Sequence, residues 1–430
     1  MKYLIKGGRI LDPAQKLDKK ADLLIESGKI AKIGSNLPKD KATVIDAKGK
    51  WVVPGIIDMH VHLREPGRED EETIASGTRT AALGGVTSVV CMPNTVPPTD
   101  STTGLEFILG RVRSSGVVNV YPTGSITLGM KGEEITEIGD LHKTGAIAIS
   151  EDGKSVMNSE IMKCALSYAS MFDMPILSHC EESNLAEGGS MHHGAVSNIT
   201  GLKGIPSIAE SIIAARDIAL AEYTGGKLHI CHTSSKDTVE LVRAAKKRGV
   251  KVTAEATPHH LTLTDELVKS FDANMKMNPP LMSKEHIEAL WKGLKDGTID
   301  VIASDHAPHT DIEKDFPFVD APFGVIGLQT MIPVVLTEWN KRNKPFSELE
   351  LIAKMTINPA RVLGIDKGTL EVGKDADVTV IDPEKSWTVT IESLKSISKN
   401  SPFIGMTLTG IPVLTMVGGT IIAADGKLRK

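Results

Sequence analysis

Short apolar runs rich in β-branched residues recur between about residues 54 and 363, at 56–62, 86–92, 117–122, 146–150, 175–179, 228–232, 250–256 and 299–305. Most are separated by longer stretches, such as 70–83, 159–172, 208–223, 238–247 and 284–294, whose apolar positions return at helical spacing. Strands alternating with helices predict a parallel sheet, and eight such units predict a closed (β/α)8 barrel over 54–363. A doubly wound open sheet competes with it, but no G-x-G-x-x-G follows the first run, so the dinucleotide-site signature of that architecture is missing. Residues 1–53 and 364–430 read differently, as short strands broken by turns such as Gly7-Gly8, Ser27-Gly28 and Gly418-Gly419. They predict one small β-sandwich domain, built from both chain ends and packed beside the barrel.

Composition narrows the function classes. With 41% hydrophobic and 24% charged residues in 430, the chain has the make-up of an ordinary globular protein with a sizeable core. A formal charge of −5 is too near neutrality for nucleic-acid binding by bulk electrostatics, and 4% aromatic content argues against stacked rings for sugars or single strands. No stretch approaches the ~18 apolar residues of a membrane span, and no apolar leader follows Met1. Cys91, Cys164, Cys180 and Cys231 stand far apart without a C-x-x-C pair, so neither a disulfide framework nor a cysteine zinc cage is expected. A soluble protein of the reducing cytoplasm is the expectation, with no nucleic-acid or membrane partner.

Candidate chemistry gathers at the strand ends. His60 and His62 lie two apart, about 6.6 Å along a strand and on one face, so both can reach one metal. Asp152 follows the fourth run, His179 ends the fifth, His232 the sixth and Asp305 the eighth. All these ends share one rim of a parallel barrel, where active sites are built. Read by alternation, His232 shares a face with Leu228 and Ile230, whereas His229, Cys231 and Cys180 read as helix-facing or packing residues. Four imidazoles and two carboxylates suit Zn²⁺, or Mn²⁺ or Co²⁺, better than Mg²⁺ or Ca²⁺, which prefer oxygen shells. Six side chains exceed the needs of one open tetrahedral zinc, and two metals sharing a carboxylate fit them better. Such a pair would activate water and polarise a carbonyl, and hydrolysis is its natural chemistry.

The stretch from Pro54 to His62 (Pro-Gly-Ile-Ile-Asp-Met-His-Val-His) resembles the opening signature of the amidohydrolase superfamily. Its extension Leu63-Arg64-Glu65-Pro66-Gly67, together with Cys91-Met92-Pro93-Asn94-Thr95, Met277-Asn278-Pro279-Pro280-Leu281 and Ser304-Asp305-His306-Ala307-Pro308-His309, resembles the class I bacterial dihydroorotases. Asn358-Pro359-Ala360-Arg361 and Gly373-Lys374-Asp375-Ala376-Asp377 extend the likeness over essentially the whole chain. The resemblance implies two zinc ions, one on His60, His62 and Asp305 and the other on His179 and His232, bridged by Asp152. Many superfamily members bridge with a carboxylated lysine on the fourth strand; here the run is Ser150-Glu151-Asp152-Gly153, and Lys154 follows the glycine. Asp152 is therefore the expected bridge, with Glu151 the alternative.

The implied reaction is the reversible opening of L-dihydroorotate to N-carbamoyl-L-aspartate, in pyrimidine synthesis, with Asp305 as general base and then general acid. Arg64, Asn94 and His309 would clamp the substrate carboxylate, and Asn278, Phe323 and Gly324 would contact the ring. One departure is Met282, where the family commonly has arginine. The pairs His192-His193 and His259-His260 read as solvent-facing or loop-anchoring, and the loops 181–205 and 310–323 as candidate lids. A homodimer and association with aspartate transcarbamoylase are the protein partners the resemblance suggests. The competing readings are a hydantoinase or allantoinase, which typically uses the lysine bridge, and a non-catalytic scaffold, which all six filled ligand positions oppose.

Overall fold

The computed structural model describes residues 1–429; Lys430, the last residue of the predicted 364–430 segment, lies outside the described residues. Helices fall where the periodicity puts them, and local chemistry sets their ends. Ile74–Leu83 starts at Thr73, whose hydroxyl accepts from the Ser76 amide while the Ser76 hydroxyl accepts from the Thr73 amide, and it stops at Gly84. Ser159–Ser170 and Lys236–Lys247 start on Asn158 and Ser235 caps. Further helices that the periodicity does not single out, among them Thr102–Ser115 and Met331–Lys341, complete the outer layer. No described helix is long and apolar enough to cross a bilayer.

Two arcs of parallel strands make the barrel. One runs Ile56–Val61, Val86–Cys91, Asn119–Pro122; the other runs Gly124–Ser125, Ile149–Ser150, Pro175–Ser178, Lys227–Ile230, Val252–Ala256, Val301–Ile302. The third strand belongs to both arcs, pairing with the second before Thr123 and with the fourth after it. A parallel bridge between Val61 and His306 joins the first strand to the chain just past the eighth and closes the ring. The fourth and eighth strands keep only two ladder residues each, fewer than the runs predict, because their ends leave the ladder for the mouth. Outward residues such as Ile56, Val61 and Val89 pack on Ile74 and Ala81, whereas Ile57, Met59, Leu177, Val301 and Ala303 fill the interior.

Both chain ends contribute to one nine-stranded sheet. Its two halves meet where Trp51–Pro54 pairs antiparallel with Val378–Thr388, and Ile5, Leu23 and Ile25 share an apolar core with Val380, Leu414 and Met416. Between two of its C-terminal strands the chain returns to the barrel mouth. There Ser396 bonds the Glu72 carboxylate, and Ser398 Oγ donates to the Glu71 carbonyl. Asn400 Nδ2 donates to the carbonyls of Ala307 and Gly324, both at 3.0 Å, while its Oδ1 accepts from the His309 amide.

Gly55 is the joint between sheet and barrel. Its amide donates to the Asp377 carbonyl, and a Cβ there would stand 2.2 Å from Thr87 Oγ1 and 2.8 Å from Asp377 Cβ. Gly55→Ala should therefore lower stability by about 1–3 kcal/mol through overpacking. Urea unfolding checks this, and a midpoint equal to the parent's would contradict so close an approach.

Candidate active site

The mouth is assembled from strand ends. His60 lies near the end of the first strand and His62 one residue past it; Asp152, His179, His232 and Asp305 stand just beyond the fourth, fifth, sixth and eighth. All six are buried. Their donor atoms form two groups, His60 with His62 and Asp305, and Asp152 with His179 and His232, each within 4.8 Å. Asp152 links the groups, since its Oδ1 lies 3.3 Å from His60 Nε2, 3.4 Å from His232 Nε2 and 3.7 Å from His179 Nδ1, and its Oδ2 lies 3.4 Å from His62 Nε2. Asp305 Oδ1 stands 3.3 Å from His62 Nε2 and 3.5 Å from His60 Nε2. Six donors thus meet in one place, from the ends of five strands.

The donor set fits a cation. His60 Nε2 and Asp152 Oδ1 are buried without a hydrogen-bond partner among the described residues, a costly arrangement unless something else satisfies them. Burial would raise the Asp152 and Asp305 carboxyls, yet the surrounding imidazoles hold both well below the usual carboxylate range. Burial would likewise lower His60 and His179, and the carboxylates beside them hold both above the ordinary imidazole value. The cluster thus calls for positive charge, which a divalent ion bound to these donors would supply. The ring nitrogens facing away are fixed too: His60 Nδ1 donates to Glu255 Oε1 at 2.7 Å and His62 Nδ1 to Asn94 Oδ1 at 2.8 Å.

Glu255 is the main residue that strand-end reasoning passed over. It is fully buried on the seventh strand and also accepts from His229 Nε2 and from the His232 amide. This corrects the alternation argument on the sixth strand. Leu228 and Ile230 pack outward with Ala165 and Ile213, whereas His229 faces the interior network. His232 reaches the centre because the strand ends at Ile230 and the backbone turns at a φ of 30°. Arg64 and Asp305 share such a conformation, with φ of 59° and 47°, so three mouth residues sit where side chains are rarely tolerated.

Glu151, the alternative to Asp152, is engaged away from the six donors. Its carboxylate accepts from the amides of Ile126 and Thr127 and bonds the Thr127 hydroxyl, while Lys154 is exposed. His259 and His260 are buried rather than solvent-facing, because the short helix Pro258–Thr262 tucks under the next loop and His260 Nε2 donates to the Pro279 carbonyl. His192 is buried against His286, leaving only His193 outside. Met282 is buried.

A cavity of about 230 Å³ opens above the six donors, and Arg64, Asn94, Asn278, His309, Phe323 and Gly324 all line it. Arg64 Nε lies 2.9 Å from Glu71 Oε2, and His309 Nδ1 2.9 Å from Glu71 Oε1. Asn278 Nδ2 donates to Glu181 Oε2. Gly324 must be glycine, since its φ is 134° and a Cβ would meet His309 Nε2 at 2.9 Å. The 310–323 loop is fastened over this cavity: Lys314 Nζ donates to the carbonyls of Ala273, Lys276 and Pro322, and Lys276 Nζ to those of Val319 and Ala321.

Comparison with known proteins places this arrangement. A family model described as dihydro-orotase-like matches residues 49–238, and one described as amidohydrolase family matches 240–423. A dihydroorotase of Pelotomaculum thermopropionicum is 53% identical over 430 residues, covering 100% of both chains. A dihydroorotase of Syntrophus aciditrophicus is 49% identical, covering 98% of this chain and 99% of the other. Among solved structures, the L-hydantoinase (dihydropyrimidinase) of Arthrobacter aurescens superposes with a TM-score of 0.90 at 28% identity, covering 100% of this chain and 97% of that one. Identity that spans the full length, on a fold shared with other cyclic-amide hydrolases, means that the chain belongs to the dihydroorotase family of amidohydrolases.

Proposed function

We propose that the chain catalyses the reversible hydrolysis of the cyclic amide of L-dihydroorotate to N-carbamoyl-L-aspartate, a step of pyrimidine synthesis. The observation that carries this reading is that two donor groups linked by Asp152 open into the same cavity as Arg64 and His309. We assign one zinc to His60, His62 and Asp305 and a second to His179 and His232, with Asp152 between them. When bound, such a pair lowers the pKa of a water and polarises the amide carbonyl.

The chain's own side chains supply the remaining chemistry. Arg64 offers its guanidinium to the substrate carboxylate, joined by His309 and by the amide N–H groups of Asn94, whose Oδ1 is already engaged by His62. Asn278, Phe323 and Gly324 flank the ring. Asp305, ionised at rest because the imidazoles depress its pKa, takes the proton of the attacking water and returns it to the ring nitrogen as the C–N bond breaks. The reverse reaction runs the same transfers backwards. The Arg64 guanidinium at the cavity wall favours a ring that carries a carboxylate over the neutral rings of hydantoinases. A cytoplasmic homodimer, and association with aspartate transcarbamoylase, complete the reading.

Purified protein supplied with zinc should open dihydroorotate and leave hydantoin nearly untouched in the same assay; turnover of hydantoin alone would refute the substrate assignment. Asp305→Asn should cost about 10²–10⁴-fold in kcat in both directions, the usual scale for removing a general base, and rates near the parent's would exclude Asp305 from proton transfer. Metal affinity should also depend on pH. His60 and His179 have raised pKa values, so they hold their protons to higher pH and compete with the metal until pH rises through those values. Affinity measured by chelator competition should tighten roughly tenfold or more from pH 6 to pH 8, and a flat profile would contradict imidazole ligation.

A further inference from the structure

We propose that Glu71 is the positioning residue that gives the mouth its selectivity for a carboxylate-bearing ring, an inference that rests on the dihydroorotate reading above. Glu71 lies in the loop before helix Ile74–Leu83, within a run of charges from Arg68 to Glu72. The structure buries it to 1% exposure. Its two carboxylate oxygens are divided between two side chains of the cavity wall: Oε2 lies against Arg64 Nε, and Oε1 accepts from His309 Nδ1. Arg68 Nη2 adds a third contact to Oε1 at 3.1 Å and carries the network on to Glu313, in the loop that covers the site.

The division decides which N–H groups remain for a ligand. A guanidinium has five N–H donors in a fixed fork. Glu71 and the Pro308 carbonyl together occupy the Nε side of Arg64, which leaves the terminal nitrogens for an anion in the cavity that Arg64 lines. Arg64 Nη2 stands 3.4 Å from His309 Nε2, which itself donates to the Phe323 carbonyl at 2.7 Å, so the terminal nitrogens of Arg64 are the donors that a substrate carboxylate meets, beside an imidazole already fixed in place. Glu71 is itself immobilised: its amide donates to the Arg68 carbonyl, and its own carbonyl accepts from Ser398 Oγ at 2.7 Å. A buried carboxylate fixed at both ends of its peptide and shared by Arg64 and His309 holds their spacing without touching the substrate.

Steady-state kinetics of Glu71→Gln test this. The isosteric change keeps the shape but replaces one acceptor by an amide N–H that faces a cation. KM for dihydroorotate should rise about tenfold or more, the scale of a lost charge-assisted hydrogen bond, with kcat within about threefold and metal content unchanged. Because Glu71 acts through the clamp, the same change made in an Arg64→Met background should cost much less than in the parent. An unchanged KM, a fall in kcat alone, loss of metal, or an undiminished penalty in the Arg64→Met background would each overturn the assignment. If Glu71→Gln does not fold, Glu71→Asp, which keeps the charge but cannot reach both partners, replaces it in the same cycle. Failure of the parent enzyme to turn over dihydroorotate would instead count against the substrate reading, so the two failures are distinguishable.

Discussion

Buried charge must balance, and at this barrel mouth the balance is demanding. Asp152, Asp305 and Glu255 are all buried carboxylates, crowded against His60, His62, His179 and His232 in an environment that punishes any unpaired ion. Protonated imidazoles can meet that demand, and a divalent pair meets it better, because the donors converge on shared points rather than pairing off one to one. The rest of the molecule reads as the scaffolding this concentration of charge requires. A closed parallel barrel brings five strand ends to one rim, and strained backbone at Arg64, His232 and Asp305 aims side chains that regular strands would turn aside.

Carboxylates behind the site carry the order outward. Glu255 fixes His60, steadies the backbone of His232 and draws in His229, so that three residues are oriented by one group. The substrate side has its own support in the chain that returns from the terminal sheet. Asn400 uses both amide hydrogens and its oxygen to tie the Ala307–His309 stretch to Gly324. The terminal sheet is therefore more than an appendage, since a segment looping from it braces the walls of the cavity.

Much of this was legible in the sequence, and the parts that were not have physical causes. Strand count and helix positions follow from periodicity, because barrel strands and amphipathic helices leave strong patterns. His60, His62, Asp152, His179, His232 and Asp305 stand out because polar groups closing apolar runs need a reason to be there. Alternation failed at His232, where a left-handed residue beyond the strand end resets the facing of the chain. Glu255 did leave a signal, a lone acid inside the apolar run 250–256, which can be buried only if it is paired. Glu71 left none, since a charge run looks solvated until the fold encloses it. Asn400 could not be read at all, because its partners are distant in sequence and its role is entirely tertiary.

The central claim, that these donors exist to hold a pair of cations sharing Asp152, is tested most directly by anomalous diffraction at the zinc absorption edge from crystals grown with zinc. The account predicts adjacent anomalous peaks, one among His60, His62 and Asp305, the other beside His179 and His232, with Asp152 touching both. Zinc density held by other side chains, or no peak at the barrel mouth, would contradict it.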